Sequence, residues 1–162
     1  MDSDVLLRPF ELGGPTQVLY GPGASAHLAE LVEQLGFARP LFVTDAGLVR
    51  AGHAARLEQG LCARGEQFTV ARFDQVREDP DAPAVARCVE AVREHEADVL
   101  VALGGGSVLD TAKAAAMLAT SGGRMQDYRG FGKTRAAAIP MVALPTTAGT
   151  GSEVQSYALI ED

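Results

Sequence analysis

The feature that most constrains this chain runs from Asp98 to Ala116, DVLVALGGGSVLDTAKAAA. Asp98 to Leu103 is a short apolar run suited to an interior strand of a parallel sheet, covered on both faces. Gly104, Gly105 and Gly106 then make a turn without Cβ atoms, where positive φ is open and a ligand can approach the backbone closely. The helix that follows aims its unpaired N–H groups back at the turn, which suits a phosphate. Strand, glycine turn and helix in this order imply an anion site, with a nucleotide as the expected anion. The competing reading is a plain tight turn, with Ser107 as N-cap and Asp110 completing a capping box. Three consecutive glycines exceed what capping requires.

The turn matches neither common nucleotide pattern. Gly104 and Gly106 fit a GxGxxG fingerprint, but Leu109 stands where its third glycine belongs. A P-loop needs its lysine directly after the second glycine, whereas Lys113 lies two helical turns on. A nucleoside triphosphate hydrolase is therefore not expected.

Strands and helices alternate on either side of this stretch. Thr16–Tyr20 reads as a strand, and Leu28, Leu31, Val32 and Leu35 recur at helical spacing up to Gly36. Pro40–Thr44 is an apolar strand ending at Asp45, and a helix is expected from about Ala46 to Arg64, weakened by Gly52 and Gly60. Gln67–Phe73 alternates as a strand, Arg77–Pro83 is a loop, and Val85, Val89 and Val92 mark a further helix. After Ser121-Gly-Gly123 come a polar loop over Met125–Arg135, a strand over Pro140–Leu144, and a last strand over Val154–Ile160. This alternation predicts a single α/β domain over residues 1–162, a Rossmann-like parallel sheet with helices on both faces. Ligands bind such sheets outside the carboxyl ends of the strands. Asp45, the three glycines and Thr146-Thr147 all follow strands, so they are expected on one edge.

Each of these residues has a functional and a structural reading. A carboxylate at Asp45 can accept both ribose hydroxyls of an adenosine, or it can cap the next helix. Thr146-Thr-Ala-Gly-Thr150-Gly-Ser152 gathers hydroxyl donors and flexible glycines that can form a second wall of the phosphate site, or an ordinary turn. His27, His53 and His95 are widely separated and form no HExxH pattern, so no metal site is expected within the chain. No GxSxG elbow is present, and no catalytic residue is assigned. Lys133 reads as a solvated loop lysine and Cys88 as a core residue.

With 162 residues the chain can bury roughly 70% of its unfolded surface, and its 47% hydrophobic and 22% charged residues are ordinary for a folded domain. A net charge of −7 without a basic face argues against a nucleic-acid partner. Cys62 and Cys88 are isolated and are expected to be reduced thiols. MDSDVLLRPFELGG opens acidic and lacks an apolar core, so no export signal is expected, and no apolar stretch approaches a membrane span. A cytoplasmic protein is the resulting expectation.

Together the motifs resemble the iron-containing (metal-dependent, group III) alcohol dehydrogenases. Gly104-Gly-Gly-Ser-Val-Leu-Asp110-Thr-Ala-Lys113 has that family's GGGSxxDxAK form, and Leu144-Pro-Thr-Thr-Ala-Gly-Thr-Gly-Ser-Glu-Val154 reinforces it. Thr44-Asp-Ala-Gly-Leu48 and Asp127-Tyr-Arg-Gly-Phe-Gly-Lys133 give weaker support. The segments occur in family order and cover nearly the whole chain. Relatives resembling dehydroquinate synthase or maleylacetate reductase vary the residues around Asp110 and the GTGSE segment.

The resemblance implies an NAD-binding domain of a dehydrogenase that moves a hydride between NAD and an alcohol or aldehyde. It implies that Asp45 binds the adenosine ribose and favours NAD over NADP. It places the pyrophosphate on Gly104, Gly105, Gly106 and Ser107, with Asp110 near the nicotinamide end. Thr146, Thr147 and Thr150 would line the adenine and phosphate side. It further implies that the family's helical C-terminal domain, with the aspartate and histidines that hold Fe²⁺ or Zn²⁺, is missing from this chain, which alone would be inactive. Two departures stand out: Asp79-Pro80-Asp81 replaces a common Asn-Pro-Thr, and Gln155 replaces a common threonine. The alternatives are a non-catalytic nucleotide-binding or oligomerisation module, pairing through the N-terminal strand as a homodimer, and a lyase resembling dehydroquinate synthase.

Overall fold

The computed structural model describes residues 10–12 and 16–161; most of the segment read for an export signal lies outside them. Six strands and five α-helices follow one another in the described residues. β1 (Phe10–Leu12) and β2 (Val18–Tyr20) form an antiparallel pair. α1 (Leu28–Gln34) leads to β3 (Pro40–Asp45), α2 (Ala46–Arg50), α3 (His53–Cys62) and β4 (Ala71–Val76). α4 (Ala82–Glu94), β5 (Val99–Gly104), α5 (Gly106–Ser121) and β6 (Met141–Pro145) complete the order.

The main sheet is parallel with strand order β4-β3-β5-β6. The chain starts at β3, steps outward to β4, then crosses back over β3 to β5. That reversal makes a topological switch point between the carboxyl ends of β3 and β5, where such sheets place ligands. All six residues of β5 are buried, as are the first five of β3.

Alternate residues of the two central strands feed two separate cores. Phe42, Val99, Val101 and Leu103 pack with Val32 of α1 and with Ala54, Leu57 and Leu61 of α3. Leu41, Val43, Leu100 and Ala102 pack with Val85, Val89 and Val92 of α4 and with the alanine-rich face of α5. This confirms the parallel sheet covered on both faces.

Polar contacts pin both ends of the β3–β5 pair. At the entry, the Asp98 carboxylate accepts from Ala38 N at 2.7 Å and Arg39 N at 2.9 Å. At the exit, Thr44 is fully buried and its hydroxyl donates to Leu103 O at 2.8 Å. Strand pairing ends one residue earlier, at Val43 opposite Ala102, so this side chain extends the bonding where the two backbones part.

Several expected elements are corrected. The helix over Ala46–Arg64 divides into α2 and α3 at Gly52, whose φ of 80° is left-handed; Gly60 is tolerated inside α3. The strand expected over Gln67–Phe73 lies at Ala71–Val76, because pairing starts only where β3 is present, with Leu41 opposite Ala71. Leu35 lies exposed, outside the buried face of α1. The polar loop contains a 3-10 turn over Met125–Tyr128 that buries Tyr128. Val154–Ile160 forms no strand, since no strand lies beside it. The bond from Glu161 N to Pro80 O and a single bridge between Asp81 and Glu161 hold its end. Asp79, one of the departures noted above, adopts a φ of 50°, which aspartate tolerates better than most residues, and Asp81 caps α4 through Ala84 N at 2.7 Å.

Both cysteines are free thiols; Cys62 is exposed, and Cys88 is a core residue as expected. Burial pushes the Cys88 thiol from 9.0 up to about 12. The unfolded thiol therefore ionises first. The stability linked to this group is complete below pH 9.0 and declines as pH rises from there toward about 12. A thiol reagent at about pH 8, below the ordinary thiol pKa, should titrate one thiol in the native protein and a second only after denaturation. Immediate reaction of both would refute this packing of α4.

Candidate functional site

The glycine turn lies between the end of β5 and the start of α5. Gly105 is the N-cap of α5, with φ −79° and ψ −170°, and no side chain caps this helix. Val108 N and Leu109 N both bond back to Gly105 O, at 3.0 and 3.1 Å. The first-turn amides of Gly106 and Ser107 remain as donors at the helix N-terminus, the arrangement that receives phosphates. The capping-box alternative is not what forms: Gly105 occupies the cap, and Asp110 is committed elsewhere.

Gly104 and Gly105 are tightly confined, and Gly106 has room for a Cβ. A Cβ on Gly104 would lie 2.4 Å from Val108 Cγ2, so close packing of helix on strand excludes a side chain there. A Cβ on Gly105 would lie 3.1 Å from Thr147 Cγ2, and one on Gly106 would lie 3.6 Å from Thr150 Cγ2. Thr147 and Thr150 thus face the glycine turn at close range. Thr146 N donates to Gly104 O at 2.9 Å, which extends the β5–β6 pairing and fixes the start of the threonine loop. Gly149 and Gly151 supply the positive φ values, 94° and 64°, that let the loop turn.

Asp45 ends β3, one strand over from the glycines. Its Oδ1 accepts from Gly47 N at 2.7 Å and Leu48 N at 3.0 Å, so it caps α2. The capping reading of this residue is realised, and Oδ2 lies outside that cap. Asp45, Gly104, Gly105, Gly106, Ser107, Thr146, Thr147 and Thr150 accordingly share the carboxyl edge of the sheet around the switch point.

Asp110 occupies a different setting, 7% exposed on the second turn of α5. Its Oδ1 accepts from Ser152 Oγ at 2.6 Å and pairs with Lys113 Nζ at 2.8 Å. Its Oδ2 accepts from Leu159 N at 3.1 Å. Lys113 and Ser152 were not assigned from the sequence, although Asp110 and Lys113 stand three residues apart on one helix face, the spacing at which side chains pair. Thr44 was also unassigned, and nothing local distinguishes it from any other strand threonine.

A concavity of about 1470 Å³ is lined by β2, β6, Lys113, residues 129–133 and residues 153–160. It includes none of the three glycines, Asp45 or the threonines. The cleft at the switch point is the better candidate for a nucleotide because it combines backbone donors with absent Cβ atoms. Among the described residues no three His, Cys, Asp or Glu side chains gather as a metal site. No helix in them is long and apolar enough to cross a membrane.

Residues 15–162 match the family model for iron-containing alcohol dehydrogenase. The chain is 34% identical over 148 residues to alcohol dehydrogenase 4 of Saccharomyces cerevisiae (strain YJM789), covering 91% of this chain and 38% of that protein. It is 37% identical over 148 residues to the NAD-dependent methanol dehydrogenase of Bacillus methanolicus, with the same two coverages. Among solved structures, sulfoacetaldehyde reductase from Bifidobacterium kashiwanohense in complex with NAD⁺ superposes with a TM-score of 0.73 and 35% identity. That likeness covers 82% of this chain and 34% of the reductase. The chain thus spans little more than a third of the length of these relatives. With the parallel sheet, the glycine turn and the threonine loop all in place, the chain belongs to the iron-containing alcohol dehydrogenase family.

Proposed function

We propose that this chain is the NAD-binding domain of a metal-dependent alcohol dehydrogenase. The observation that carries the proposal is the cleft between the uncapped N-terminus of α5 and the loop bearing Thr147 and Thr150. Its first-turn backbone amides and missing Cβ atoms suit a pyrophosphate lying on the backbone of Gly104, Gly105, Gly106 and Ser107. Asp45 stands where its Oδ2 can accept the adenosine ribose hydroxyls while Oδ1 keeps α2 capped. Thr146, Thr147 and Thr150 line the adenine and phosphate side, and Asp110 lies toward the nicotinamide end. A methanol dehydrogenase named as NAD-dependent and a reductase described with NAD⁺ bound, both similar to this chain, support the choice of cofactor.

When bound, the nicotinamide exchanges a hydride with the carbon of an alcohol or aldehyde. This chain's residues contribute binding and orientation: backbone donors hold anionic oxygens and one carboxylate selects the ribose. The described residues do not fit the iron or zinc centre that the family resemblance implies, since they bring no ligand set together. No step is assigned to a metal on this chain. A cytoplasmic location goes with this reading.

Purified chain is expected to bind NAD in calorimetric titration and to show no alcohol turnover by itself. Turnover without an added partner would overturn this division of labour. No nucleotide binding combined with a stable dimer would favour an oligomerisation module instead. Asp45→Gly should weaken NAD by roughly tenfold and NADP much less. Because the glycine also removes the cap of α2, worth about 1 kcal/mol, Asp45→Asn serves as a control that keeps an acceptor. Equal changes for both cofactors would take Asp45 out of the ribose role.

Gly105→Val offers a second test. Its φ of −79° and ψ of −170° are open to any residue, but a Cβ there already lies 3.1 Å from Thr147 Cγ2, so the valine must push the threonine loop aside while the buried strands persist. A loss of NAD affinity of about tenfold or more, with an unchanged circular dichroism spectrum, is the expected result. Undiminished binding would place the cofactor elsewhere.

A further inference from the structure

We propose that Lys113, acting with Ser152, is a positioning residue for the cofactor cleft. It holds the threonine loop against the glycine turn and so sets the affinity for the pyrophosphate. This inference rests on the reading of that cleft as a nucleotide site.

Lys113 is committed inward. Its ammonium lies 2.8 Å from Asp110 Oδ1, 3.0 Å from Ser152 O, 3.0 Å from Ser152 Oγ and 2.6 Å from Tyr157 O. An ammonium has three donors, so the two Ser152 oxygens share one and none remains for a ligand. The directions of the bonds are fixed as well. Ser152 Oγ spends its proton on Asp110 Oδ1, and it therefore accepts from Lys113. Ser152 is 3% exposed, and the Lys113 and Asp110 side chains are 15% and 11% exposed.

The position of this cluster explains its use. The loop from Thr146 to Ser152 contains two glycines at positive φ and forms no strand or helix that would stiffen it. Its first residue is tied to the turn through Thr146 N and Gly104 O. Its last residue is tied to α5 through Ser152. Thr147 and Thr150, between these anchors, face Gly105 and Gly106. With one anchor released, the loop can swing away and the cleft loses its second wall. A buried ion pair adds little net stability over apolar packing of equal volume. What it supplies here is a fixed geometry, because four oxygens from three residues must converge on one nitrogen.

The test compares ADP-ribose, which carries the pyrophosphate, with adenosine, which lacks it and keeps only the ribose facing Asp45 and the adenine. Both are titrated into the wild-type chain, Lys113→Met and Ser152→Ala by calorimetry or NMR. Lys113→Met should weaken ADP-ribose by about tenfold and adenosine, which meets the threonine loop only through its adenine, by a clearly smaller factor. Ser152→Ala should move the same ratio in the same direction by a smaller factor, and it carries the test if Lys113→Met does not fold. Amide exchange should accelerate over residues 146–152 and stay unchanged in β3 and β5. Equal weakening of both ligands would mark a general structural role, and an unchanged ratio would remove the positioning role; either overturns the proposal. Failure of the wild-type chain to bind ADP-ribose refutes the nucleotide reading itself, a result distinct from both.

Discussion

The structure depends on the parallel pairing of β3 with β5. Both strands are buried on two faces, so neither can be exposed without opening a core, and their register decides which side chains face which core. Polar groups secure that register at each end. Asp98 receives two backbone N–H groups where the strands begin, and Thr44 satisfies Leu103 O where they end. The crossover places α1 and α3 on one face and α4 and α5 on the other. Beyond Thr44 the two chains diverge toward α2 and α5, and the gap between them is where the candidate site lies.

That site uses little formal charge. A chain with a net charge of −7 can still receive an anion because the donors are backbone amides at the end of a 16-residue helix, whose partial positive charge does not depend on side chains. The lysine nearest in sequence to the turn does not reach for the anion. Lys113 is turned toward Asp110, Ser152 and Tyr157, and it shapes the site by holding a loop. The same cluster fastens residues 152–159 across α5, so the segment that follows β6 is ordered by side chains rather than by a ladder.

Family membership gives this arrangement its context. Relatives that extend well beyond the matched region are named dehydrogenases and reductases, and this chain matches little more than a third of their length. The large groove along β6 and residues 153–160 includes Lys113, Pro145 and Glu153 but none of the three glycines. Its apolar lining belongs to the edge of the sheet, and the cofactor reading does not draw on it.

The sequence by itself determined the sheet, the order of strands and helices, and the two most specific motifs. A short apolar run such as Asp98–Leu103 between polar and glycine punctuation suits a strand buried on both faces, and three adjacent glycines suit a close approach to the backbone. It could not place β4, because alternation from Gln67 onward says which residues share a face but not where the neighbouring strand begins. It also read Val154–Ile160 as a strand, since its apolar residues carry no sign that no strand lies beside them. Asp45 illustrates the boundary: one carboxylate suits both a cap and a ribose, and only the fold shows that one oxygen serves the cap. The tertiary structure alone decided the fate of Lys113, Ser152 and Thr44. Apart from Asp110, three residues from Lys113, the partners of these side chains lie 39 to 59 residues away in sequence, and hydrogen bonds over such distances exist only once the sheet has brought the ends of its strands together.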